Sequence, residues 1–149
     1  RAYFSGREIE RWAAYRGVAI LRGMPTHHDH DLARANGVLV AALEAGHKID
    51  QLAHEMLQAH WRDDADLDDD AALAKIVENA GLPPSALVEA ALSPDIQAVH
   101  EVNTTEAIER SVFGSPTYFV DGDMFYGQDH LELVSQALKQ PFPHLWDKR

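Results

Sequence analysis

The chain is 149 residues long, 46% hydrophobic and 25% charged, with a net charge of −11 and no cysteine. That length and apolar content suffice for one globular domain with a packed core. The negative charge argues against non-specific nucleic-acid binding and against anionic membranes, which both need clustered Lys and Arg, and zero cysteines exclude a Cys-x-x-Cys redox centre or a thiolate metal site within these residues. No run approaches the roughly 18 apolar residues of a membrane span, and Arg1-Ala2-Tyr3-Phe4 opens without a signal-peptide h-region. A cytoplasmic protein is the expectation, with neither nucleic acid nor membrane as partner.

Ile9, Trp12 and Ala13 fall at helical spacing and Gly17 ends that helix, after which Val18 to Leu21 predicts a short buried strand before Gly23 and Pro25. From Asp31 to Ala45 and from Ile49 to Trp61 apolar positions recur with the helical period, and Gly46 between them reads as a C-cap; the two segments predict an antiparallel helix pair. Asp69 to Ala80 repeats the pattern and ends at Gly81. Pro83 opens another helix at its tolerated first-turn position, and Pro94 opens one that runs to about Arg110. After this helical layer come two apolar runs, Thr117 to Val120 and Met124 to Tyr126, separated by the turn Asp121-Gly122, which is a hairpin signal. The last predicted element is a helix from about Asp129 to Leu138.

Three clusters carry chemistry-bearing side chains. In His27-His28-Asp29-His30-Asp31 consecutive loop residues point in different directions, so no facial triad and no metal site is expected there; Asp31 or His30 reads as a helix cap. His54-Glu55 begins like His-Glu-x-x-His, but the next histidine is His60, six residues on, and the two rings leave the helix on different sides. The acidic run from Asp63 to Asp70 mimics a calcium loop, yet Asp69 stands where Gly is needed and Lys75 where the bidentate Glu belongs. It reads as a solvated loop and helix N-terminus, where acids suit the macrodipole. The chain has no Gly-rich phosphate loop and no nucleophile elbow.

The stretch from Ser111 to Leu138 differs because its parts fit together. Pro116 stands at the threshold of a strand, where it need not donate to a ladder, and a cis Ser115-Pro116 bond would leave the Ser115 backbone facing outward for an extended peptide ligand. Gly127-Gln128-Asp129 then starts a helix, where free N–H groups favour a carboxylate and Asp129 can take an ammonium group. Together these suit a small zwitterionic peptide. The plainer alternative is a structural proline turn and then an ordinary N-cap, Asp129, with Glu132 three residues on.

Phe113-Gly114-Ser115-Pro116-Thr117-Tyr118-Phe119-Val120-Asp121-Gly122, with Met124-Phe125-Tyr126-Gly127-Gln128-Asp129-His130-Leu131 after it, closely resembles the end of 2-hydroxychromene-2-carboxylate isomerases, relatives of kappa-class glutathione transferases and DsbA-like proteins. The resemblance extends through Ala80-Gly81-Leu82, Trp61, Trp12 and Gly17 to the opening Arg1-Ala2-Tyr3-Phe4. It implies an α/β, thioredoxin-like fold with a large all-helical insertion: residues 1–26 and 111–149 form the thioredoxin-like part and 27–110 the insertion. Glutathione is the implied cofactor, with Ser115 bonding its cysteinyl unit through the backbone beside Pro116, and Gln128 and Asp129 holding the γ-glutamyl end. The family's first strand, its next helix and the thiol-activating serine would lie before Arg1, so the chain looks like a fragment, incomplete as a thioredoxin fold and with little activity by itself.

The implied reaction interconverts 2-hydroxychromene-2-carboxylate and trans-o-hydroxybenzylidenepyruvate, a step of naphthalene-type aromatic catabolism. Partners would be glutathione and a small aromatic substrate, and a homodimer is compatible with the reading. Phe4, Trp61 and Phe113 are candidates for either the substrate pocket or the core. Rival readings are a DsbA-like thiol oxidoreductase or another kappa-class transferase, and a non-catalytic interaction module.

Overall fold

The computed structural model describes residues 2–143. Arg1 and residues 144–149, assigned from the sequence to the thioredoxin-like part, lie outside the described residues. In chain order the elements are α1 (Ala2–Arg16), α2 (Ala33–Glu44), α3 (Asp50–Trp61), α4 (Asp70–Asn79), α5 (Pro84–Ala90), α6 (Pro94–Glu109), β1 (Thr117–Val120), β2 (Asp123–Tyr126), a 3-10 turn (Gln128–His130) and α7 (Leu131–Lys139). They fall into two compact units that divide between Val102 and Asn103, within α6. No helix among the described residues is long and apolar enough to cross a membrane.

The core of the first unit arises from helical spacing. Ala35, Val38, Ala41 and Ala42 are the buried stripe of α2, Leu52 and Met56 that of α3, and Leu73, Ile76 and Val77 that of α4. Leu52, Leu73, Val38 and Val77 are fully buried. Each such side chain is worth roughly 1.5–3 kcal/mol of transfer free energy. α2 packs on α5, α3 on α4 and α4 on α5. Gly37 permits a close α2–α5 approach, since a Cβ there would lie 2.1 Å from the Ala91 carbonyl oxygen at the end of α5.

Val18 to Leu21 is not a strand. Gly17, at φ +67°, lets the chain turn so that Val18 N–H returns to the Ala13 carbonyl at 2.9 Å, capping α1. Leu21 N–H then bonds the Trp61 carbonyl at the end of α3 at 2.7 Å, so this run is a tether between helices. Four apolar residues resemble a buried strand in sequence, but a strand needs a ladder partner, and none pairs with them among the described residues.

The acidic run is more than solvated loop. Asp69 does cap α4, accepting from Ala72 N–H at 2.7 Å. Asp64, at φ +60°, accepts from Thr26 N–H and from the Thr26 hydroxyl, both at 2.6 Å. Arg34 at the start of α2 reaches Asp68 at 3.4 Å and Asp70 at 2.6 Å. Exposed ion pairs of this kind add little stability, but the Thr26–Asp64 clasp fixes how two loops face each other. One histidine of the His54–His60 pair is exposed and bonded to Gln58, while the other is buried at 7% exposure and stacked on His28, in keeping with rings on different sides of α3.

In the second unit β1 and β2 pair antiparallel, with Thr117 opposite Tyr126, Tyr118 opposite Phe125, Phe119 opposite Met124 and Val120 opposite Asp123. α7 covers β1. The Arg110 guanidinium sits 3.6 Å above the centre of the Phe119 ring, a cation–π contact on the hairpin's first strand. Phe125 is the buried member of β2.

Two glycines of the first unit should respond oppositely to alanine. At Gly6 in α1 nothing lies within 4 Å of the added Cβ, so Gly6→Ala should stabilise by about 0.5–1 kcal/mol through helix propensity alone. At Gly37 the same propensity gain is outweighed by a clash with rigid backbone, costing about 1–3 kcal/mol, so Gly37→Ala should destabilise on balance. Urea denaturation reads both, and equal signs would refute the close α2–α5 approach.

The clasp at Asp64 has a pH signature. Its carboxyl is held below the usual carboxylate range, first by the Thr26 hydroxyl and then by Thr26 N–H. A depressed folded-state value means its contribution is complete above the ordinary range and is lost as pH falls through the lower folded value. An NMR titration of the Asp64 side-chain carbon should show a midpoint below that range, moving upward in Thr26→Ala. A midpoint insensitive to that substitution would exclude the hydroxyl as the cause.

Candidate functional site

The site lies at the open end of the hairpin, within the second unit. The Ser115–Pro116 peptide bond is cis, and Pro116 precedes β1 without joining its ladder. Around it the loop is tied at two points. The Thr117 hydroxyl donates to the Gly114 carbonyl at 2.6 Å, and Gly127 N–H donates to the Pro116 carbonyl at 2.9 Å. Among the described residues no hydrogen bond uses the Ser115 backbone N–H or C=O, and Ser115 is exposed. Its polar groups are therefore open to water or to a ligand strand.

Gly114 and Gly127 shape this end for different reasons. A Cβ on Gly114 would lie 2.6 Å from the Tyr126 ring, which also meets Phe113 at 4.8 Å between ring centres. Gly127 has φ +102° and ψ 146°, a region essentially closed to other residues, and a Cβ there would lie 2.4 Å from Asp129 Oδ1. The Asp129 carboxylate thus folds back over the Gly127 backbone.

Asp129 does not cap a helix. Residues Gln128–His130 form a 3-10 turn, α7 begins only at Leu131, and His130 occupies its N-cap position without a side-chain cap bond. The expected helix from Asp129 is displaced because the turn comes directly after Gly127's unusual backbone. His130 Nδ1 lies 2.5 Å from the Tyr126 carbonyl, which requires that nitrogen to carry the proton and donate. The same atom is 3.8 Å from Asp129 Oδ1, too far for a hydrogen bond. Gln128 is half-buried beside it. The four residues singled out in sequence thus stand together, with Ser115 and Pro116 on one side of the Gly127–Pro116 hydrogen bond and Gln128 and Asp129 on the other.

His130 and Tyr126 lie in the stretch that carries the family resemblance, but the sequence reading gives them no part in the site. The contact of the His130 ring with the Tyr126 carbonyl emerges only when the 3-10 turn brings the ring back. Phe4 and Phe113 are exposed, at 64% and 68%, so neither is core within its unit. Trp61 is half-buried, edge-on to His28 and His60.

Comparison with known proteins decides the family. A sequence profile described as DSBA-like thioredoxin domain matches residues 3–139. The chain belongs to that family. Among curated relatives, the 2-hydroxychromene-2-carboxylate isomerase of Sphingobium xenophagum is 36% identical over 78 residues, 52% of this chain and 40% of that protein. The protein of the same name from Pseudomonas putida is 26% identical over 132 residues, 88% of this chain and 62% of that protein. The chain matches less than two thirds of the length of either. A solved structure of 2-hydroxychromene-2-carboxylate isomerase superposes with a TM-score of 0.74 at 23% identity, covering 93% of this chain and 66% of that one. The mostly helical chain with its small hairpin therefore has the DSBA-like thioredoxin fold with a helical insertion.

Gly127→Ala should destabilise the chain by about 1–3 kcal/mol through the backbone alone, with the carboxylate clash adding to it. In Gly127→Ala/Asp129→Ala only the clash is relieved, so denaturant unfolding should show partial recovery. Full recovery in the double variant would mean that the backbone conformation at Gly127 is not the constraint.

Proposed function

We propose that this chain carries the glutathione-positioning half of a glutathione-dependent isomerase acting on 2-hydroxychromene-2-carboxylate, in cytoplasmic catabolism of naphthalene-type aromatics. The proposal also takes residues 1–26 and 111–149 as the thioredoxin-like part and 27–110 as its helical insertion. The observation that carries it is the Gly127–Pro116 hydrogen bond, which sets the unpaired backbone of Ser115 beside the uncapped turn holding Gln128 and Asp129. The names borne by the curated relatives support the same reading.

The residues present fit a tripeptide with a zwitterionic γ-glutamyl end. Ser115 offers one N–H and one C=O to an extended cysteinyl unit, as in strand addition. Asp129 offers a carboxylate that makes no cap bond among the described residues, and a carboxylate suits an α-ammonium group. The chemistry glutathione supplies when bound is reversible thiolate addition to a conjugated double bond, which permits the bond rotation that separates the two isomers. The described residues bind and orient, and activation of the thiol is assigned to a serine outside them. A thiol oxidoreductase would need its cysteines elsewhere, since these 149 residues contain none.

Asp129→Asn isolates the charge. Because Asp129 caps nothing, stability should change little, while a lost charge-assisted hydrogen bond of about 1.5–3 kcal/mol should raise the glutathione dissociation constant roughly tenfold or more. Calorimetric titration measures it. An unchanged constant would remove the γ-glutamyl contact and favour a non-catalytic interaction module.

A further inference from the structure

We propose that His27, His30 and Asp66 form a binding site for a first-row divalent cation such as zinc. The site belongs to the first unit and does not depend on the reading of the cis-proline loop. From sequence alone no metal is expected here, because consecutive residues diverge. The residues that converge are instead His27 and His30, three apart in one turn, with a carboxylate from the loop after α3.

One ligand atom from each of the three lies within 4.8 Å of the others. His30 Nδ1 is 3.0 Å from both Asp66 oxygens, and His27 Nδ1 is 3.6 Å from Asp66 Oδ2. Zinc held at about 2.0–2.2 Å by such donors sets neighbouring donors about 3.4 Å apart in a tetrahedron, near the 3.0 and 3.6 Å from the two histidines to Asp66, and all three ligand atoms lie within 4.8 Å of one another. The two imidazoles and one carboxylate suit zinc, nickel or copper rather than magnesium or calcium, which take oxygen donors. With His27 and Asp66 half-buried and His30 exposed, an ion can enter, and water would complete its coordination.

The ligands are held in place before any ion arrives. His28 N–H bonds the Pro25 carbonyl and His30 N–H the His27 carbonyl, both at 3.2 Å, closing the turn that carries the two histidines. The His27 and His30 rings meet edge to face at 4.9 Å. Asp68 N–H donates to Asp66 Oδ1 at 3.0 Å and orients the carboxylate, the outer-shell bond expected of a metal ligand. The Thr26–Asp64 clasp holds the two loops together. A bound ion would act as a second clasp between the loop before α2 and the loop after α3.

Isothermal titration of zinc chloride into the chain at neutral pH tests this, using wild type, His27→Gln/His30→Gln, Asp66→Asn and the control His54→Gln. Wild type and the control should bind one equivalent, and the dissociation constant should rise roughly tenfold or more in the other two. The substituted side chains lie on surface loops, and far-UV circular dichroism checks that each variant folds. In wild type, the ring resonances of His27 and His30 should shift first during an NMR titration with zinc. Absence of a one-equivalent event in wild type, unchanged affinity in the variants, or first shifts at other histidines would each overturn the site.

Discussion

The backbone hydrogen bond from Gly127 N–H to the Pro116 carbonyl, 2.9 Å long, closes the open end of the β1–β2 hairpin, and the arrangement of the candidate site rests on it. Proline has no N–H to offer a partner strand, but its carbonyl can still accept, so Pro116 marks where the ladder stops and the loop begins. The donor must come from a residue whose backbone then veers away, and φ +102° at Gly127 does this. Gln128 and its neighbours can neither continue the strand nor begin a helix at once. The 3-10 turn is the outcome, and it leaves Asp129 folded over Gly127 instead of capping α7.

The first unit is governed by close approach of small residues. Ala35, Gly37, Ala41 and Ala42 make α2 narrow on its inner face, so the helices against it come near and the larger Leu52, Leu73 and Val77 fill the remaining space. Dispersion and burial reward that geometry only if no Cβ intrudes, which is why Gly37 is tolerated mid-helix despite its propensity cost of about 1 kcal/mol. The connecting loops are then joined by polar contacts. Thr26 and Asp64 form a clasp, and Arg34 gathers two aspartates of the acidic run, so part of a net charge of −11 serves loop geometry.

Much of the architecture was legible in the pattern of residues. α3 and α4, which carry a buried stripe at helical spacing, and α6, which Pro94 opens, lie within a residue or two of the expected bounds, because burial of one face and the backbone limits of proline are local effects. The hairpin was legible for a similar reason: Asp121-Gly122 suits the turn, and Asp121 and Gly122 both take positive φ. Val18 to Leu21 failed because strand identity depends on a partner elsewhere in the chain, and its N–H groups found α1 and α3 instead.

The order of helices, the hairpin, and the grouping of Ser115, Pro116, Gln128 and Asp129 near one loop were determined by the sequence itself, since spacing, turn chemistry and chain proximity are short-range properties. Only tertiary structure decided what those side chains do. Asp129 reads in sequence as an ammonium partner or as a helix cap, and α7 begins only at Leu131, beyond a 3-10 turn. His27 and His30 read as a loop of divergent side chains, and Asp66 meets them across a gap that no local pattern spans, because it comes from a loop held there by the shared helical core and the Thr26–Asp64 clasp. Contacts between residues distant in sequence are set by how helices pack, and a linear pattern carries only the faces that pack, not the loops their meeting brings together.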